Sequence, residues 1–204
     1  MTIRCPAKSI SHDTLTGMRL VKVAQSRIAE VLGPGDIAID ATTGNGVDTA
    51  FLARTVGTEG LVYGFDIQQK AICATGELLC TLGLKNRALL IMENHVDMDH
   101  HIHRRHRTRI RAIMFNLGYL PGADPAIVTR TGSTLIALEK ACKLLAPGGR
   151  IAVLAYTGHP GGQSETDEVR AMANSLPDNY TVTVERPSNT LKAPPELIVI
   201  DRLA

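Results

Sequence analysis

Asp40-Ala41-Thr42-Thr43-Gly44-Asn45-Gly46 is the stretch whose reading decides the fold. It closes the strand-length apolar run Ile37–Ala41 and leads into Val47–Val56, whose apolar positions recur at helical period. A strand that passes through two glycines into a helix is the opening unit of an open parallel sheet. Ligands bind such sheets outside the carboxyl ends of the strands, where the strand order reverses. Gly44 and Gly46 let the backbone approach a ligand, because a side chain would occupy the space. Asp66, twenty residues after Gly46, ends the next strand, where a carboxylate can accept hydrogen bonds from both hydroxyls of an adenosine ribose. A Gly-x-Gly alone is equally a plain strand-to-helix turn; the acidic residue at the second strand end moves the reading to a nucleoside. The nicotinamide fingerprint Gly-x-Gly-x-x-Gly needs a third glycine where this chain has Thr49. Asp48 either meets a charged amino group of the ligand or favours the helix N-terminus.

Outward from this loop, strand-length runs alternate with helical segments. Thr14–Leu32 reads as a helix stopped by Gly33-Pro34-Gly35-Asp36. After the loop come a strand Leu61–Asp66, a helix Ala71–Leu82 and a strand Ala88–Met92, then a polar segment, Glu93–Arg111. Ala112–Leu117 is a very apolar strand, Thr131–Leu145 a helix ended by Pro147-Gly148-Gly149, Arg150–Tyr156 a strand and Gln163–Ser175 a helix. Alternation of this kind implies parallel pairing with right-handed crossovers, hence helices on both faces of one sheet. The final strands, Tyr180–Arg186 and Glu196–Asp201, lie only about ten residues apart, too close for a crossover helix, so one of them runs antiparallel. The expectation is one α/β, Rossmann-like domain over residues 1–204: a seven-stranded, mostly parallel sheet with one antiparallel strand, resembling the class I methyltransferase sheet.

Composition agrees with a globular chain. Of its 204 residues 44% are apolar, and no apolar run approaches the roughly 18 needed to cross a bilayer. Met1–Pro6 lacks the long apolar stretch of a secretory signal, so a cytoplasmic protein without membrane contact is expected. Cys5, Cys73, Cys80 and Cys142 are too scattered for a disulfide framework or a zinc site. Cys73 and Cys80, seven apart, share a helix face and are expected in the core. The net charge of +2 permits an acidic partner without demanding one.

Two further loops emerge on the same sheet edge. The fourth strand leads into Phe115-Asn116-Leu117-Gly118-Tyr119-Leu120-Pro121, which resembles the Asn-Pro-Pro-Tyr loop of amino-directed methyltransferases. The Asn116 amide oxygen and the following carbonyl can accept hydrogen bonds from an amine and aim its lone pair at an electrophilic methyl group. Tyr119 would stack on a base or wall the pocket. The plainer alternative has Asn116 capping a turn and Tyr119 packing in the core. The fifth strand delivers Tyr156-Thr157-Gly158-His159-Pro160-Gly161-Gly162, with Glu165 just beyond. His159 titrates near neutrality and could take a proton from an ammonium or orient a phosphate, or it is simply a surface histidine.

The run Asp40-Ala-Thr-Thr-Gly-Asn-Gly-Val-Asp-Thr-Ala-Phe-Leu-Ala53 resembles the opening motif of the bacterial rRNA methylase family. Phe65-Asp66-Ile67-Gln68 and the loops at Asn116 and His159 match its later motifs in order, over nearly the whole chain. The resemblance implies S-adenosylmethionine as cofactor. It also implies a tRNA substrate, since characterised relatives methylate the amino group of 5-aminomethyl-2-thiouridine at the wobble position. The residues it marks for the cofactor are Asp40, Thr42, Gly44, Asn45, Gly46, Asp48, Thr49, Asp66, Ile67, Gln68, His95 and Asn116. Those it marks for catalysis are Asn116, Tyr119, Tyr156 and His159, with no metal. His95 matches a family histidine near the adenine pocket. Two positions depart from the pattern: Lys192 and Ala193 stand where asparagines precede the Pro194-Pro195 pair, and Val47 replaces a histidine, a change expected to be packing.

His100, His101, His103 and His106 interleave with Arg104, Arg105, Arg107, Arg109 and Arg111. On a helix His103 and Arg107 would share a face. A solvated basic surface is the first reading and phosphate contact the second. With no RNA-binding domain of its own, the chain would hold tRNA through surface loops or as a homodimer. Competing activities are methylation of rRNA or of a small amine, a nicotinamide oxidoreductase, and a non-catalytic RNA-binding protein.

Overall fold

The computed structural model of the chain describes residues 12–118, 129–158, 160–187 and 194–204, with side chains from residue 20 onward. Tyr119, His159, Lys192 and Ala193 therefore lie outside the described residues. Seven strands form one sheet: β1 (Ile37–Asp40), β2 (Leu61–Phe65), β3 (Ala88–Ile91), β4 (Ile110–Leu117), β5 (Leu145–Ala155), β6 (Tyr180–Glu185) and β7 (Glu196–Arg202). Their order across it is β3-β2-β1-β4-β5-β7-β6. The first five strands pair in parallel, and β7 runs antiparallel to both β5 and β6. This is the class I methyltransferase sheet, as expected.

The helices are α1 (His12–Ala29), α2 (Val47–Thr55), α3 (Gln69–Thr81), the single turn α4 (Met98–His101), α5 (Thr131–Leu144) and α6 (Gly162–Asn174). Alternate residues of each strand point to opposite faces, and β1 shows the division. Ile37 and Ile39 join the apolar cluster under α4, α5 and α6, whereas Ala38 joins the cluster under α1, α2 and α3. Both faces are covered, so the central strands are mostly apolar; all four residues of β1, Asp40 at its carboxyl end included, are buried.

Several element bounds differ from the sequence reading for physical reasons. α1 ends at Ala29, but Val31 and Leu32 N–H both reach the Ile28 carbonyl and carry the turn to Leu32. β5 begins at Leu145 because that residue pairs with Ile110, and the register shift before Arg150 takes up the intervening Pro-Gly-Gly. The Arg111 guanidinium fastens this excursion through the Pro147 carbonyl at 2.8 Å and the Val31 carbonyl at 3.1 Å. Cys73 and Cys80 are exposed, not core. Their spacing puts them on one side of α3, but Ala71, Thr75 and Leu79, four apart, form the side that packs. Val47 is 60% exposed, so its departure from the family pattern is not packing.

Candidate active site

The strand order reverses between β1 and β4, and the crevice above their carboxyl ends is where the motif residues meet. The loop after β1 is tied to its neighbours by backbone bonds from Ala41 N–H to Met114 O and from Thr43 N–H to Phe65 O. Gly46 caps α2 with φ 81°, and a Cβ there would lie 2.9 Å from the Thr75 Cα, so only glycine fits. The Thr75 hydroxyl in turn donates to the Gly44 carbonyl at 3.1 Å.

Asp66 leaves β2 and receives one backbone N–H on each oxygen, from Gly44 at 3.0 Å and Gln68 at 2.9 Å. Each oxygen keeps a lone pair for a further donor. Beside it Ile67 is 54% exposed, an apolar surface at the rim of the crevice, and Asn45 is exposed on the loop. His95 is buried behind the loop. Its Nδ1 lies 3.1 Å from the Ala41 carbonyl; a carbonyl only accepts, so Nδ1 carries the proton and Nε2 is a bare acceptor. That Nε2 is buried and has no hydrogen-bond partner among the described residues. Burial lowers the His95 pKa, which keeps the imidazole neutral.

Two buried carboxyl groups flank the loop, close enough for the charge of Asp48 to act on Asp40, and their hydrogen-bond partners are neutral. Asp40 accepts the Thr49 hydroxyl at 2.6 Å and the Thr42 N–H at 3.2 Å; burial, aided by the charge of Asp48, raises its pKa to about 7. Thr49 is fully buried, with its hydroxyl committed to Asp40. Asp48 accepts the Gln25 amide at 2.7 Å and the Asn116 amide at 2.5 Å, and burial raises its pKa too. It does not cap α2: no side chain closes that N-terminus.

Asn116 is held twice. Its backbone N–H donates to the Thr42 hydroxyl at 2.7 Å, and its Nδ2 donates to Asp48. An ionised carboxylate can only accept, so the amide nitrogen must face Asp48 and Oδ1 is left as an acceptor. The Leu117 carbonyl, the second expected acceptor, takes the Tyr156 N–H at 3.2 Å and retains one lone pair. Tyr156 is half-buried; burial first, then the Asp48 charge, pushes its pKa up to about 12, so it is a neutral phenol. Glu165, at the start of α6, is buried between the Thr134 hydroxyl at 2.6 Å and the Thr129 hydroxyl at 2.8 Å.

Residues 62–201 match the protein family described as "Putative rRNA methylase". The chain belongs to that family. As an rRNA methylase family member it is 39% identical over 167 residues to the chloroplastic tRNA (mnm(5)s(2)U34)-methyltransferase of Arabidopsis thaliana, an alignment spanning 78% of this chain and 60% of that protein. A solved structure from Clostridium thermocellum, given the same description, superposes with TM-score 0.85 at 38% identity over 96% of this chain and all of the other. A methyltransferase-like structure from Streptococcus mutans, solved in complex with SAH, gives TM-score 0.80 at 36% identity, covering 90% of this chain and 97% of its own.

The basic run is not one continuous helix. α4 stops at His101, Ile102 turns extended and buried, and residues 104–106 make a separate single turn. His103 and Arg107 therefore do not share a helix face. His106 hydrogen-bonds the Tyr63 hydroxyl at 2.8 Å, and Arg107 donates to the Asp99 carbonyl at 2.8 Å, while Arg104, Arg105 and Arg109 face solvent. Among the described residues no group of three or more His, Cys, Asp or Glu is placed to hold a metal ion. Gln25 and the Thr129–Thr134 pair are site residues that no motif marked. Gln25 belongs to a helix that precedes the loop after β1, and its only signal is a polar side chain beside the buried stripe Leu20, Ala24, Ile28.

Proposed function

We propose that this protein transfers the methyl group of S-adenosylmethionine to RNA, and specifically to the aminomethyl nitrogen of 5-aminomethyl-2-thiouridine at the tRNA wobble position. The observation that carries the reading is Asn116: its nitrogen is committed to Asp48, so its oxygen is the group it offers a substrate. The names of the Arabidopsis relative and the family, and the SAH complex of the Streptococcus relative, support it.

The residues fit the cofactor. Asp66 has lone pairs for two ribose hydroxyls, and the orphaned His95 Nε2 would accept from the adenine amino group. Asp40 and Asp48 are buried with neutral partners, an environment that favours a cationic ligand. When bound, the cofactor supplies a methyl group activated by its positive sulfonium. The protein's part is orientation. A primary amine attacks only as the free base, and Asn116 Oδ1 accepts one of its N–H groups without carrying a negative charge. A carboxylate in that place would hold the unreactive ammonium. Leu117 O and the His159 loop are the remaining groups assigned to the amine, the latter as proton acceptor.

Methylation of tRNA that carries the aminomethyl nucleoside, followed by mass spectrometry of the digested nucleosides, tests this. A product methylated on the aminomethyl nitrogen is expected. Methyl incorporation into rRNA or a free amine instead would replace the substrate assignment, and binding of NAD without S-adenosylmethionine would overturn the activity.

A further inference from the structure

Asn116 can orient an amine only if its amide stays the right way round. The oxygen and nitrogen of a carboxamide are nearly the same size, so packing alone does not choose between the two orientations. Here the choice is made by Asp48, and Asp48 is itself held from the far side by α1. Gln25 Nε2 donates to Asp48 Oδ1 at 2.7 Å, and Asn116 Nδ2 donates to Asp48 Oδ2 at 2.5 Å. The carboxylate is thus clamped between two amides, one from the first helix and one from β4.

We propose that Gln25 is a positioning residue for methyl transfer: through Asp48 it keeps the Asn116 amide oxygen turned toward the substrate. The proposal rests on the role given to Asn116 above. It turns on which hydrogen-bonding form Asp48 adopts. As a carboxylate, Asp48 can only accept and demands the Asn116 nitrogen. As a carboxylic acid it can donate to the Asn116 oxygen, which permits the flipped amide and presents N–H groups to an amine that also bears N–H groups. Burial drives Asp48 toward the acid, and the hydrogen bonds from Gln25 and Asn116 oppose it. Removing the Gln25 donor shifts that balance toward the flipped site. Among the described residues, the titratable groups that sense the Asp48 charge are Asp40 on β1 and Tyr156 after β5. Docking of α1 does not depend on Gln25, since Leu20, Ala24 and Ile28 bury its apolar stripe.

The test compares Gln25→Met, which keeps the length and loses the donor, with Gln25→Lys, which restores a donor and favours the carboxylate by its charge. Single-turnover methyl transfer is measured from about pH 6 to about pH 9, with SAH affinity measured by calorimetry. For Gln25→Met the rate near neutrality should fall by about tenfold or more, within the on the order of 10²-fold that misplacement of a reacting group can cost. SAH affinity should change less than about twofold, and the deficit should shrink as pH rises and Asp48 ionises. Gln25→Lys should transfer at close to the wild-type rate across the range. Wild-type transfer by Gln25→Met, or a pH-independent deficit shared by Gln25→Lys, would overturn the proposal and leave Gln25 as a docking contact of α1. The wild-type rate on tRNA bearing the aminomethyl nucleoside separates the two levels: absence of transfer there overturns the role of Asn116 and this inference together, whereas transfer with unperturbed Gln25 variants overturns the inference alone.

Discussion

Replacing Asn116 by aspartate places a second carboxyl group in direct contact with Asp48. In the native structure the amide nitrogen sits 2.5 Å from an Asp48 oxygen, and Asp48 is 6% exposed, so solvent screens the new pair little. Two unit charges about 4 Å apart repel by about 4 kcal/mol at an effective dielectric of about 20. That repulsion raises one of the two pKa values well above its value in the unfolded chain, adding to the rise that burial already imposes on Asp48. The folded pair therefore holds one shared proton over a window in which the unfolded chain holds none. A raised folded-state pKa contributes stability that is present at acid pH and lost as pH rises. Asn116→Asp should melt close to the wild type at about pH 4.5 and lose about 4 kcal/mol relative to it by about pH 8, with Asn116→Ala as a control lacking this slope. Urea denaturation followed by circular dichroism at several pH values measures it. The same geometry bears on activity. Raising the pH frees the substrate amine but leaves both carboxyl groups of the variant pair charged, so transfer by Asn116→Asp should recover only partly in alkaline buffer. A destabilisation equal at both pH extremes, or full alkaline recovery of transfer, would show that the two side chains do not meet and that Asp48 does not set the Asn116 orientation.

Asn116→Ala should abolish most turnover while SAH affinity in calorimetry stays close to wild type; wild-type-like transfer would place the amine's orientation elsewhere. Asp66→Ala removes the acceptor assigned to the ribose and should weaken SAH binding by about 1.5–3 kcal/mol per lost hydrogen bond to the charged group, with unchanged affinity counting against that assignment. Gly46→Ala forces alanine into the left-handed conformation at φ 81° and drives its Cβ to 2.9 Å from the Thr75 Cα. Denaturant melts should show a loss above the about 1–2 kcal/mol of the conformation itself. Affinity for tRNA should fall with added salt as phosphate contacts release counterions. If neutralising Arg104, Arg105 and Arg107 leaves both affinity and salt slope unchanged, that basic run is a solvated surface.

The one-dimensional pattern determined the sheet and the loops that line its carboxyl edge. Strands between helices force parallel pairing, and short spacing before the last strand forces one reversal, so the strand directions follow from chain connectivity, while their order across the sheet came from the structure. Asp40, Gly44, Gly46, Asp66 and Asn116 were legible for the same reason: each stands at a strand end, and strand ends in such a sheet share one edge. What tertiary structure alone decided is which side each residue turns and what it meets there. Seven-residue spacing put Cys73 and Cys80 on one side of α3, but contact with the sheet chose the side of Ala71, Thr75 and Leu79. Helical spacing in the basic run yielded to Ile102, whose burial pulls the chain extended and breaks the turn. Asp48 stands in the first turn of α2, as a helix-terminus charge would, but only folding brought Gln25, 23 residues earlier, and Asn116, 68 residues later, against its two oxygens. Periodicity records only which residues of one element share a face; a hydrogen bond between elements depends on how those elements pack, and that is set by the whole core at once.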